Sequence, residues 1–194
     1  MNKPVIAIDC DDVIVGTAPD IIEHYNATYD TNIKLKDYYT NDLKILGVTD
    51  RKTFARRIQT YLNSPEYQKI EPFQDAVEVI HELTSKYELH IVTARPDFLS
   101  DVTKLMLQKY FPDVFSSVIF TNHFSDKQRS KADVCNELNA IYLIDDHLHH
   151  AEIAAKQGIS VLLFGNYPWN KSATLPDSVQ RVEDWHEVQN ILLK

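Results

Sequence analysis

Cysteine is nearly absent: Cys10 and Cys135 stand far apart and in no CxxC spacing, which excludes a disulfide framework and a cysteine-based zinc centre. Glycine is almost as scarce, four in all, with neither a Walker loop nor a GxGxxG fingerprint. No stretch is densely basic and the net charge is −8, so tight binding to a nucleic-acid polymer, which needs clustered Lys and Arg, is not expected. No apolar run approaches a membrane span, and MNKPVIAIDC is too short in apolar residues for a secretory signal. The expectation is a cytoplasmic protein with reduced thiols and no membrane partner. The remaining balance, 44% hydrophobic and 25% charged over 194 residues, is that of a globule able to bury a core without staples.

What is present begins at Val5-Ile6-Ala7-Ile8-Asp9-Cys10-Asp11-Asp12-Val13. An apolar, β-branched run of strand length drives into three carboxylates with no basic residue among them. Buried parallel strands read as such runs, and ligands of open α/β sheets gather beyond the carboxyl ends of the strands. Carboxylates this close repel, so one takes up a proton unless a cation intervenes, and a divalent metal is the economical answer.

Four further strand candidates follow, at 89–93, 117–121, 141–145 and 159–164, separated by helical patterns around 76–83, 102–106, 134–138 and 153–155. Alternation of this kind predicts an α/β fold with a five-stranded parallel sheet in the order 3-2-1-4-5. A last amphipathic helix is expected over about 179–193. The first crossover is too long for a loop and carries helical patterns opened by Thr17-Ala18-Pro19 and capped by Asp50. The expected division is therefore a core of residues 1–15 and 73–194, with a helical cap of residues 16–72 inserted at the mouth of the sheet as a lid.

Four features fall on one edge of the expected sheet: Asp9-x-Asp11, Thr93-Ala94-Arg95, Lys131 opening a helix, and Asp145-Asp146. Each has an ordinary explanation. Paired acids after a strand cap helices, a lone lysine is usually a solvated surface group, and a strand-end threonine caps the next helix. Their order and spacing together argue against coincidence.

On these residues the chain resembles the haloacid dehalogenase superfamily of phosphohydrolases, with a Rossmann-like core. Through Ile91-Val92-Thr93-Ala94-Arg95-Pro96, Leu143-Ile144-Asp145-Asp146 and Phe164-Gly165-Asn166-Tyr167-Pro168-Trp169-Asn170 it looks most like the 5′(3′)-deoxyribonucleotidases and their nucleotidase-like relatives. The resemblance implies that Asp9 attacks phosphorus and Asp11 serves as acid and base. It implies Mg2+ on Asp9, the Asp11 backbone carbonyl and Asp145 or Asp146, with Thr93, the Ala94 backbone and Lys131 on the phosphoryl group. The implied activity is a magnesium-dependent phosphomonoesterase acting through an aspartyl-phosphate, with a nucleoside monophosphate as substrate. A sugar phosphate or other small phosphoester is the alternative, and a catalytically silent binding protein of the same fold is the rival from another class. A homodimer is left open.

Other residues carry two readings. Asp12 stands where superfamily members often have Gly; it tunes the site or faces solvent, and Asp tolerates left-handed backbone. Trp169 stacks on a base or plugs the core. Tyr38 and Phe54 are candidate base contacts, Phe54 alternatively packing inside the cap. Arg95 reaches polar substrate groups at the rim or pairs with a neighbouring acid. His147, His149 and His150 read as a solvated cluster rather than a zinc site.

Overall fold

The structure, a computed structural model, describes residues 3–122 and 129–194. Six parallel strands, β1 (Val5–Ile8), β2 (Glu88–Thr93), β3 (Phe115–Phe120), β4 (Ala140–Asp145), β5 (Ser160–Phe164) and β6 (Val179–Val182), form one sheet in the order β3-β2-β1-β4-β5-β6. The expected 3-2-1-4-5 order is intact, with a sixth strand added at the edge. That strand is a correction: residues 179–182 pair with β5 instead of opening the last helix. The break comes at Asp184, whose carboxylate accepts the Glu187 N–H at 2.9 Å and starts a shorter helix, α7 (Trp185–Leu192).

Period-two alternation distributes side chains to two faces. Ile6 and Ile8 join Leu89, Ile91, Leu162 and Phe164 under α3 (Gln74–Leu83), α4 (Ser100–Tyr110) and α7. Ala7 joins Val92, Leu143, Val161 and Leu163 under α5 (Lys131–Glu137) and α6 (Leu148–Lys156). Cys10 and Cys135 are buried, one in each layer, and unpaired. Gly158, at φ +82° just past α6, gives that helix its left-handed exit.

The long first crossover leaves and returns at one point. Val15 bridges Pro72, and the Phe73 N–H donates to the Ile14 carbonyl at 2.8 Å. Between them run α1 (Thr17–Tyr29), α2 (Arg51–Leu62) and two single 3-10 turns. The insert has an apolar cluster of its own, built on Tyr25, Ile33 and Leu46. A second cluster joins its Ile21, Tyr61 and Tyr67 to Leu99 and Val102 of the core. Trp185 fixes the neck from below, its indole N–H donating to the Val13 carbonyl at 2.9 Å. Among the described residues, no helix is long and apolar enough to cross a membrane.

Candidate active site

Because β1 lies between β2 and β4, its carboxyl end opens at the point where strand order reverses. Beyond Ile8 the Asp9 N–H still donates to the Ile144 carbonyl at 2.9 Å, which sets Asp9 beside the end of β4. Asp9, Asp145 and Asp146 are buried and bring one carboxylate oxygen each within 4.8 Å of one another. Lys131 opens α5, the Ser130 hydroxyl accepting the Ala132 N–H at 3.2 Å. The helix thereby aims the lysine into the cluster, with Nζ 2.7 Å from Asp9 Oδ2 and 2.7 Å from Asp145 Oδ2. The solvated-lysine explanation is thus overturned.

Asp145 is fully engaged. Its Oδ1 accepts the His147 N–H at 2.8 Å and lies 3.3 Å from His150 Nδ1, so His150 is half-buried in the site and not a solvated residue. Asp146 Oδ2 accepts the Trp169 indole N–H at 2.6 Å. Asp9 Oδ1 is buried and has no hydrogen-bond partner among the described residues. Buried polar atoms in native folds are nearly always satisfied, and hard divalent cations take carboxylate oxygens, so this donor set fits a metal such as Mg2+.

The charge balance says the same. Among the described residues, Asp9, Asp11, Asp12, Asp145 and Asp146 crowd around two buried cations, Lys131 and Arg95. Burial pushes Asp9 up to about 6 despite Lys131, and Asp145 and Asp11 push the same way. Burial, then the charges of Asp145 and Asp9, also raise Asp146 well above the carboxylate range. Burial disfavours the charge of Asp145 too, but Lys131 and His150 outweigh it and hold that carboxyl low.

The half beside the insert is built differently. Arg95 donates from Nε to both oxygens of Asp11, at 3.1 and 3.0 Å, and from Nη2 to Oδ1 at 2.7 Å. The Thr17 hydroxyl, at the head of α1, also donates to Oδ1. Burial works against the Asp11 charge, yet the guanidinium and these hydrogen bonds keep its carboxyl below the ordinary range. The rim position expected for Arg95 is corrected: the residue is 3% exposed, and the pairing alternative describes it. A strand-end arginine beside a carboxylate loop lowers its free energy by ion pairing, because a buried guanidinium without a partner is costly.

Asp12 does not face solvent. Its backbone is left-handed, φ +57°, and its carboxylate accepts the Ala18 N–H at 3.0 Å, capping α1 across the neck. Burial raises that carboxyl to about 8 against the pull of the Ala18 N–H. Thr93 is fully buried at the end of β2, next to β1, where its hydroxyl accepts the Arg95 N–H at 3.2 Å. Ala94, partly exposed, follows it at the mouth.

Aromatic rings line the mouth. Tyr38 and Tyr39 of the insert stand 5.9 and 5.4 Å, centroid to centroid, from Trp169 of the core. Tyr167 stacks on Trp169 at 4.7 Å and 6°. Gly165 is required for that arrangement: at φ +75°, a Cβ there would meet the Tyr167 ring at 2.3 Å. Trp169 therefore belongs to the mouth and is no core plug. Phe54 is corrected as a base contact: it packs against Tyr25, 5.3 Å between centroids, in the insert's own cluster.

Thr17, Tyr67 and Thr103 join the site through Asp11 and Arg95, beyond the residues to which the sequence points. Thr17 carried a faint signal, a hydroxyl opening the first helix after the acidic loop; Tyr67 and Thr103 carried none.

A sequence profile for the family described as "5' nucleotidase, deoxy (Pyrimidine), cytosolic type C protein" matches residues 3–194. The 5'(3')-deoxyribonucleotidase of Bacillus subtilis (strain 168) is 27% identical over 195 residues, covering 98% of this chain and 99% of its own. Among solved structures, a haloacid dehalogenase-like hydrolase from Streptococcus pneumoniae superposes with a TM-score of 0.71 at 16% identity, covering 97% and 98% of the two chains. A haloacid dehalogenase-type hydrolase from Bacillus subtilis, bound to magnesium, gives 0.64 at 14% identity over 100% of both chains.

Proposed function

This chain belongs to the 5′ nucleotidase, deoxy (pyrimidine), cytosolic type C family of haloacid dehalogenase-like phosphatases, and from that premise we propose a magnesium-dependent hydrolysis of (deoxy)nucleoside monophosphates through an aspartyl-phosphate. The observation that carries the reading is Asp9: a buried carboxylate at the sheet's switch point, with Oδ2 held by Lys131 and Oδ1 without a partner among the described residues.

An Asp9 oxygen attacks phosphorus, the ester P–O bond breaks, and Asp11, whose protonated form the negative charge of the bound phosphate favours against the pull of Arg95, gives a proton to the departing alkoxide. Asp11 then takes a proton from a water as that water attacks the phosphoryl group. The bond to Asp9 breaks and inorganic phosphate leaves. The Thr93 hydroxyl and the Ala94 N–H hold the phosphoryl oxygens, and Lys131 offsets their charge. Mg2+ would be held by Asp9, Asp146 and the Asp11 backbone carbonyl, since Asp145 is already committed to Lys131, His147 and His150. Bound there, it would neutralise charge on the phosphoryl group.

Residues 16–72 act as a cap that closes over substrate and excludes water. The rings of Tyr38, Tyr39 and Trp169 favour a planar base over a bare sugar, because stacking rewards a flat π-face. Two buried, unpaired cysteines suit a cytoplasmic setting.

The test is a phosphate-release screen across nucleotides and sugar phosphates, with magnesium and with chelator. Release from nucleoside monophosphates that stops on chelation is expected. Preference for sugar phosphates would replace the substrate, and no release from any ester would leave a silent binding protein.

A further inference from the structure

Arg95 is seated with unusual completeness for a residue at an active-site mouth. Nε and Nη2 grip Asp11; Nη2 also donates to the Tyr67 hydroxyl at 2.9 Å, and Nη1 to the Thr103 hydroxyl at 2.8 Å. Thr103 is itself tied to the Leu99 carbonyl at 2.7 Å. Each of the three guanidinium nitrogens donates to a protein oxygen, which holds the group in place from both sides. The side chain is 1% exposed whereas that of Asp11 is 30% exposed, so the pair presents its acid, not its base, to the mouth.

The two carboxylate oxygens are not equivalent. Among the described residues, Oδ1 receives Nε, Nη2 and the Thr17 hydroxyl, while Oδ2 receives Nε alone, at 3.0 Å. Both lone pairs of Oδ1 are spent, and Oδ2 keeps one for a further proton. A planar fork fixes the carboxylate's tilt and rotation together, which a lysine, as a point charge, does not.

We propose that Arg95 is a positioning residue that aims Asp11 Oδ2 at the leaving-group oxygen, with Tyr67 of the insert and Thr103 of the core holding the guanidinium in place. The proposal rests on the phosphomonoesterase reading, in which the Asp11 proton passes to the alkoxide as the ester P–O bond breaks. Its consequence is a dependence on leaving group. An alkyl ester such as a nucleoside monophosphate needs that proton at once. The 4-nitrophenoxide ion, stable near neutral pH, departs without it.

The experiment compares kcat/KM, which covers the steps up to leaving-group departure, for a nucleoside monophosphate and for 4-nitrophenyl phosphate. Arg95→Gln is expected to lower the nucleotide value by roughly 10²-fold, the lower end of an acid–base contribution, and the aryl value at least tenfold less. Arg95→Lys keeps the charge without the fork and is expected to retain most of that skew. In an Asp11→Asn background, Arg95→Lys should add nothing further on the nucleotide. Equal losses on both substrates, or additive losses in the double variant, would overturn the proposal. If Arg95→Gln does not fold, Tyr67→Phe removes one partner and keeps the charge; a smaller skew in the same direction supports the proposal and its absence overturns it. Wild-type protein inactive on every phosphomonoester would instead defeat the phosphatase reading, a result distinct from equal losses in an active enzyme.

Discussion

Two carboxylates two residues apart, Asp9 and Asp11, are each paired with a cation, and the pairs differ in kind. Lys131 sits between Asp9 and Asp145 at 2.7 Å from each and leaves an oxygen of Asp9 without a partner among the described residues. Arg95 closes on Asp11 with three hydrogen bonds and is itself tied down on both sides. The floor of the site, supplied by β1, β4 and α5, carries more buried carboxylates than cations and is electrostatically unfinished. The side beside the insert, supplied by the loop after β2, the head of α1 and the second turn of the insert, is geometrically finished. A compact ammonium suits a place where charge must be shared with an incoming group; a guanidinium fork suits one where direction must not change.

The strongest way to break the comparison is at the floor. Asp9→Asn should cut phosphate release by more than roughly 10⁴-fold with the fold retained, since an amide cannot attack phosphorus. Near-normal turnover, with deamidation excluded by mass spectrometry, would remove Asp9 as nucleophile. On the finished side, Asp11→Asn should slow turnover by roughly 10²–10⁴-fold, the scale of a positioned acid–base. Its loss should be larger for alkyl than for aryl esters, whereas that of Asp9→Asn should not depend on the leaving group. Lys131→Met leaves Asp145 and Asp9 buried without their cation. It should cost about 3–5 kcal/mol in denaturant unfolding and roughly 10²–10³-fold in rate. Stability unchanged within error would mean the carboxylates do not depend on it.

Trp169→Phe keeps a ring at the mouth and removes the indole hydrogen bond to Asp146. The magnesium concentration for half-maximal activity should rise by roughly 10–100-fold, as when an outer partner of a metal ligand is lost, with little change once magnesium saturates. The smallest effect belongs away from the chemistry. Trp185→Phe withdraws a buried donor from the Val13 carbonyl and should cost roughly 1–3 kcal/mol, read as a shift in the denaturation midpoint. A variant as stable as wild type would show the neck to be held by packing alone.

The sheet was legible because a buried parallel strand has a local signature, and five apolar runs of strand length fell between helical patterns. β6 was not, since Val179-Gln180-Arg181-Val182 has the i, i+3 spacing of a helix and only its pairing with β5 and the Asp184 cap decide otherwise. Floor residues were legible for the same local reason: Asp9, Lys131 and Asp145 end strands or begin helices, where ligands gather. The fork was not. That Arg95 turns inward to Asp11, 84 positions away, and meets Tyr67 of the insert is a tertiary fact with no periodicity behind it. Phe54 shows the opposite limit, an aromatic whose type suggested a ligand and whose neighbours simply needed filling.

The central place of β1 fixes an order of events during synthesis. Val5–Ile8 leaves the ribosome before either strand it pairs with, and β4, which completes its pairing, ends at Asp145. Until then an apolar strand carrying three aspartates has an unfilled edge, and the loop closure needed to fill it is long-range and slow. The loop is anchored later still, by a tryptophan 172 positions downstream of Val13. Asp9 and Asp11 are thus made before either strand that pairs with β1, so the nascent chain carries the proposed nucleophile before the strands that would build its site exist.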